Sequence, residues 1–195
     1  MNATTYEEQI INTVKQVMPA VISIVVSKDY EAIVKEKPYA LMMPHGDHVD
    51  LPPPEDELPH TPDGKIRIGG GSGFIINPEG FILTNKHVVH DHDAEYTVLV
   101  GDKEYEAQVL SSDPLNDIAI LKIKVADLPE VKLGDSSKVQ IGQTAIAIGT
   151  ALGMFTNTVS KGIISGLARR IAASLGTGEE TEVLRGVIQT DVAIN

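Results

Sequence analysis

The sequence predicts an all-β fold, a sandwich or barrel, and three observations carry that expectation. From Gly69 onward the apolar residues come in short, β-branched runs separated by turn residues. The chain holds 17 glycines, enough to punctuate many turns. These runs do not alternate with helical segments in the way βαβ units require.

The elements follow in order. Ile10, Ile11, Val14 and Val17 fall at helical spacing within Tyr6 to Val17, with Glu7, Glu8 and Lys15 between them, and Pro19 ends the helix. Ala20 to Val26 is short and β-branched, which marks a buried strand. Of the 11 prolines, seven lie between Pro38 and Pro62 among acidic residues without apolar periodicity. Residues 28–68 are therefore expected to form one long mobile loop, the kind of insertion that is functional or disordered. Phe74-Ile75-Ile76 and Phe81-Ile82-Leu83 flank Asn77-Pro78-Glu79-Gly80, a hairpin signature. Further strands are expected at Tyr96 to Val100, Tyr105 to Leu110, Ile118 to Ile123, Thr144 to Ile148, Thr158 to Ser165 and Leu184 to Thr190.

Composition excludes several functions. Sixteen Lys and Arg against 27 Asp and Glu give a net charge of −11, whereas a nucleic-acid surface needs a basic field to release counterions. With no cysteine, disulfide scaffolds, thiolate metal sites and cysteine nucleophiles are all absent. No apolar run approaches the roughly 20 residues of a membrane-spanning helix. Met1 to Thr5 lacks the basic and apolar regions of a signal peptide, so a location outside the cytoplasm would require a leader or anchor not written here.

Two segments could carry chemistry. Leu83-Thr84-Asn85-Lys86-His87-Val88-Val89 sets a histidine directly after a strand, with an apolar pair to anchor its backbone. Ser112-Asp113-Pro114-Leu115-Asn116-Asp117-Ile118 sets Asp117 at the mouth of the next apolar strand, where a carboxylate can receive an imidazole Nδ1 proton. Singly, each residue is equally a turn or cap residue. His45-Gly46-Asp47-His48 with Asp50 offers a competing loop-borne site for Zn²⁺ or Ni²⁺, for which loop flexibility argues against a preformed cage. His90-Asp91-His92-Asp93 is expected to be a solvated turn.

Taken together, Gly71-Ser72-Gly73-Phe74-Ile75-Ile76, Gly80-Phe81-Ile82-Leu83-Thr84-Asn85-Lys86-His87-Val88-Val89, Ser112 to Ile123 and Gln189-Thr190-Asp191-Val192-Ala193-Ile194-Asn195 resemble, in order, blocks of the HtrA/Deg family of trypsin-like serine proteases. The resemblance implies a chymotrypsin-like double β-barrel preceded by a short helix. The divisions would be 1–19 for the helix, 20–125 for the first barrel and 126–195 for an incomplete second barrel. It implies His87 as general base, Asp117 rather than Asp113 as its orienting acid, and Arg169, or its neighbour Arg170, as a sensor-loop arginine that orders the active site. The proline-rich segment falls where the family carries a long regulatory loop. Misfolded or unfolded polypeptides as substrates, cleavage after small apolar residues, a homotrimer, an extracytoplasmic or periplasmic location and no metal or other cofactor are likewise what the resemblance implies.

Two departures stand out. Where the family commonly has Asn-Pro, the segment Ala147 to Gly153 reads Ala-Ile-Gly-Thr-Ala-Leu-Gly. The family's nucleophile lies in a Gly-Asn-Ser-Gly-Gly block that would place the serine about four residues past Asn195. Residues 1–195 are thus expected to be inactive as a peptidase by themselves, and to expose unpaired strand edges that favour aggregation, pairing or strand exchange. Ser72, Ser160 and Ser165 are poor substitutes, since none sits in a nucleophile elbow and two lie on a predicted strand. The alternative function is a catalytically inactive protein-binding or regulatory module of the same fold.

Overall fold

The computed structural model describes residues 5–36, 54–113, 115–151, 155–173 and 182–193. Helix α1 (Tyr6–Val17) is followed by β1 (Val21–Lys28), α2 (Tyr30–Glu36), β2 (Ile66–Asn77), β3 (Phe81–Thr84), β4 (Glu95–Val100), β5 (Lys103–Asp113), β6 (Ile118–Ile123), β7 (Thr144–Ala151), β8 (Phe155–Ala173) and β9 (Glu182–Thr190). The first six strands close an antiparallel barrel in the order β1-β2-β3-β6-β5-β4, and β7-β8-β9 form a second antiparallel sheet. The all-β expectation therefore holds.

Alternation builds the barrel. Ile22 and Ile24 of β1, Ile75 of β2, Ile82 of β3, Val98 of β4, and Leu121 and Ile123 of β6 are at most 1% exposed and form one core. Burying a side chain of this size contributes about 1.5–3 kcal/mol each. β1 pairs with β2 on one side and β4 on the other, which closes the cylinder and removes its edges. Strand β7 lies against β1 and β2, so the second sheet is seated on the same strands that begin the barrel. Helix α1 starts in a capping box between Thr5 and Glu8 and buries no residue among those described. Its Tyr6 hydroxyl hydrogen-bonds Thr144 Oγ1 of β7 at 2.9 Å, and Lys161 of β8 lies over the Tyr6 ring.

The loop expected over 28–68 is corrected at both of its flanks. Tyr30–Glu36 is helical because it precedes the first proline of the insert and carries a Glu31–Lys35 pair at i,i+4 spacing. At the other flank Glu55–Glu57 forms a 3-10 turn, His60 bridges Ile66, and Arg67 N–H donates to Pro59 O at 2.7 Å. Strand β2 begins at Ile66, whose side chain is buried, three residues before the predicted glycine start. Proline density marks the middle of the insert; apolar burial decides its ends. Strands β5 and β8 also run longer than their apolar cores suggest, because ladder hydrogen bonds continue through polar residues.

The hairpin joining β2 to β3 turns on Gly80, which takes φ +92°, and a Cβ there would lie 2.5 Å from the Ile123 carbonyl oxygen. Only glycine satisfies both the left-handed backbone and that close approach. Gly80→Ala is expected to lower unfolding free energy by about 1–3 kcal/mol, read as a shifted urea midpoint with unchanged m-value.

Candidate active site

Strands β3 and β6 are neighbours in the barrel, with Thr84 opposite Ala119. The residues that follow β3 and those that precede β6 must therefore meet at one end of the cylinder. Asn85 leaves β3 in extended conformation, and Lys86–Val88 form a 3-10 turn carrying His87. Val89 is buried in the barrel core and Val88 packs against it, so the predicted apolar anchor of the histidine is present. Gly71 of β2 lies directly beneath that turn: a Cβ there would fall 2.7 Å from a Val88 methyl.

Asp117 sits one residue before β6 with φ +48°, a left-handed conformation that aspartate tolerates better than most residues. Its Oδ2 lies 2.8 Å from His87 Nδ1, and its Oδ1 accepts the His87 main-chain N–H at 2.9 Å. Asn85 Nδ2 donates to Asp117 Oδ2 at 3.0 Å and to its main-chain oxygen at 3.1 Å. The carboxylate is thus an acceptor from ring, backbone and amide together. An ionised aspartate has no proton to give, so Nδ1 is the nitrogen that carries the proton of this contact, and in the neutral form of the ring Nε2 is left with the lone pair. The His87 side chain is 47% exposed and that of Asp117 11%, which leaves the imidazole open to a reactant and its partner shielded.

Burial acts to raise the Asp117 pKa, but the hydrogen bonds from the His87 main chain and ring, the charge of His87 and the Asn85 amide outweigh it. The carboxyl is held below the usual aspartate value. Such an arrangement can hold an imidazole in one tautomer and stabilise the imidazolium formed when Nε2 takes a proton.

The structure treats the other candidates differently. Asp113 uses its carboxylate on its own turn, accepting from Leu115 N, Asn116 N and Asn116 Nδ2. Arg169 lies on β8 with its backbone paired to Val187, just after Ala168 takes φ +52°; its side chain lies outside the described part. His45, Asp47, His48 and Asp50 also lie outside the described residues. Among the described residues, no three His, Asp or Glu side chains converge on a cation site. Ser160 donates to Ala193 O at 2.5 Å, and Thr84 Oγ1 donates to the Ser72 carbonyl at 2.8 Å. The solvated turn expected at residues 90–93 is corrected at Asp91, which is half-buried and ion-paired to the buried Lys28 at 2.8 Å. Asn85 went unselected in the sequence although it stands two residues before His87 in the same block; only the fold shows that its amide reaches Asp117. His87 is one of the residues lining a pocket of about 380 Å³, together with Val26, Ile33, Ile68 and Val88.

A six-stranded antiparallel barrel with a second sheet against it, presenting a carboxylate-held histidine at one barrel end, defines the scaffold of a trypsin-like peptidase. Residues 71–195 match the family model of the trypsin-like peptidase domain. Over 125 residues the chain is 44% identical to a "Probable periplasmic serine endoprotease DegP-like" of Pseudomonas putida, covering 64% of this chain and 24% of that protein. Over 140 residues it is 41% identical to the "Putative serine protease HhoB" of Synechocystis sp., covering 72% and 32% respectively. Among solved structures, the HtrA-type protease AlgW bound to a tripeptide aligns with TM-score 0.64 at 30% identity, over 95% of this chain and 46% of that one. The chain belongs to the trypsin-like peptidase family, within its HtrA/Deg group. It spans about a quarter to a third of the length of these curated relatives.

Because folding lowers the Asp117 pKa, the ionised carboxylate stabilises the native state above its unfolded value near 4, and the contribution is lost as pH falls through the lower folded value. Asp117→Asn is expected to lose about 1–3 kcal/mol at pH 7. The gap from the unsubstituted protein should close as urea titrations are repeated at successively lower pH below about 4.

Proposed function

We propose that this domain supports hydrolysis of peptide bonds by acyl transfer. His87 Nε2 takes the proton of a serine hydroxyl as it attacks the scissile carbonyl, then returns it to the leaving amine. Asp117 holds the ring in the tautomer that this cycle needs and stabilises the intermediate imidazolium. The nucleophile would come from a Gly-Asn-Ser-Gly-Gly block following Asn195. The observation that carries the reading is the paired contact of one Asp117 carboxylate with both the ring and the main-chain N–H of His87, at 2.8 and 2.9 Å.

The family supports the remaining parts of the proposal. The substrates are unfolded or misfolded polypeptides, the working protein is a homotrimer in an extracytoplasmic compartment, and Arg169 takes part in ordering the site. Two of the relatives named above are called a periplasmic serine endoprotease and a serine protease, which agrees with that class of activity.

A fluorophosphonate probe, which labels activated serines, tests the reading by intact mass. Residues 1–195, at 20.9 kDa, are expected to take up no probe, and a polypeptide continuing through the serine block to take up one. Labelling should vanish in His87→Ala and slow by on the order of 10⁴-fold in Asp117→Asn, as loss of the orienting carboxylate does in other triads. Label uptake that survives His87→Ala would overturn the role given to His87, and a continued polypeptide that stays unlabelled would favour the inactive binding module instead.

A further inference from the structure

Among the described residues the buried charged side chains are Asp117 and Lys28. The first belongs to the site above; the second has no part in the proposed chemistry. A lysine ammonium with a side chain only 2% exposed loses most of its hydration, and such a group persists where a counter-charge is held at good geometry. Here the counter-charge is Asp91, with Nζ and Oδ2 2.8 Å apart.

Asp91 follows His87 by four residues, and the stretch between them is tied down bond by bond. His90 Nδ1 hydrogen-bonds the His87 carbonyl oxygen at 2.6 Å. The hydroxyl of Tyr96, a residue only 6% exposed, donates to the Asp91 carbonyl oxygen at 2.6 Å. Asp91 Oδ1 accepts the Asp93 N–H at 3.0 Å. Burial acts to raise the Asp91 pKa, yet the Lys28 contact and the Asp93 amide hold it below the ordinary value, which favours the ionised carboxylate. His87 is thus gripped from two directions: Asp117 holds the ring and its amide, while Lys28, at the end of β1, holds the turn behind its carbonyl.

We infer that the buried Lys28–Asp91 ion pair positions the His87 imidazole, acting through the main chain of residues 87–91 to keep the ring within reach of Asp117. The inference rests on the reading of His87 and Asp117 given above. It makes Lys28 and Asp91 positioning residues that touch no reacting atom. Catalytic geometry tolerates errors of only about half an ångström, and a pair anchored in the barrel wall supplies a fixed point that an exposed turn lacks.

The test needs no turnover. In the 195-residue chain, the His87 Nδ1 proton bonded to Asp117 should give a far-downfield proton NMR resonance, assigned by its loss in His87→Ala. Asp91→Asn is compared with the double variant Lys28→Met/Asp91→Asn, which removes both charges and so leaves no unpaired buried ion to unfold the protein. Glu95→Gln, which breaks the Lys65–Glu95 pair on the same barrel, serves as control. The expected result is a shifted resonance exchanging with water about tenfold faster or more in the Asp91 and double variants, through more frequent local opening. The control should match the unsubstituted protein. A resonance that keeps its position and exchange rate in the folded double variant would overturn the positioning role and leave the His87–Asp117 reading standing. Equal changes in the Glu95 control would overturn it too, by showing general loosening of the barrel. Absence of the resonance from the unsubstituted chain would overturn both readings.

Discussion

The site depends on the antiparallel pairing of β3 with β6. Phe81 faces Lys122, Ile82 faces Leu121, Leu83 faces Ile120 and Thr84 faces Ala119, which brings the exit of one strand beside the start of the other. Two residues 30 positions apart in the chain are thereby placed 2.8 Å from each other. Barrel closure makes this pairing hard to change. A slip of one residue would turn Ile82 and Leu121 from the core to the outside, and every other strand would have to slip with them.

Electrostatics then divides the labour within each pair of charged groups. At the site the carboxylate is shielded and the imidazole is open. Behind it the order is reversed: the Lys28 cation is buried and Asp91 is 25% exposed. Both arrangements take a charge out of water at a cost, and both offset that cost with several directed hydrogen bonds. The turn between them carries His87 with its main-chain N–H and carbonyl each engaged.

Close backbone approach is the third element of the design. Gly70 and Gly71 of β2 run beside β1 and beneath the histidine turn, where a Cβ would lie 2.7 Å from the Ile24 carbonyl oxygen in one case and 2.7 Å from a Val88 methyl in the other. A side chain at Gly71 would lift the turn from the barrel wall, with the imidazole on it, and one at Gly70 would push β2 away from β1. The glycine run that reads in the sequence as a strand boundary is in the structure an interior part of β2, chosen for proximity rather than flexibility.

Local pattern determined much of this protein. The helix Tyr6–Val17, the strand Ile118–Ile123, the β2–β3 turn and the core face of each barrel strand follow from apolar spacing and turn chemistry, because those signals act within a few residues. The histidine and aspartate each stood out locally as a strand-end residue beside apolar neighbours, but their pairing as base and orienting acid was implied by the resemblance to a known family. The ends of the long insert were not legible, since proline content spoke for its middle while a short helix at Tyr30–Glu36 fits before its first proline and the burial of Ile66 depended on neighbouring strands. Only the tertiary structure decided that Asn85 braces Asp117 and that Asp113 serves its own turn. It also decided that Lys28 lies buried against Asp91, because these contacts join segments whose separation in sequence carries no record of their distance in space.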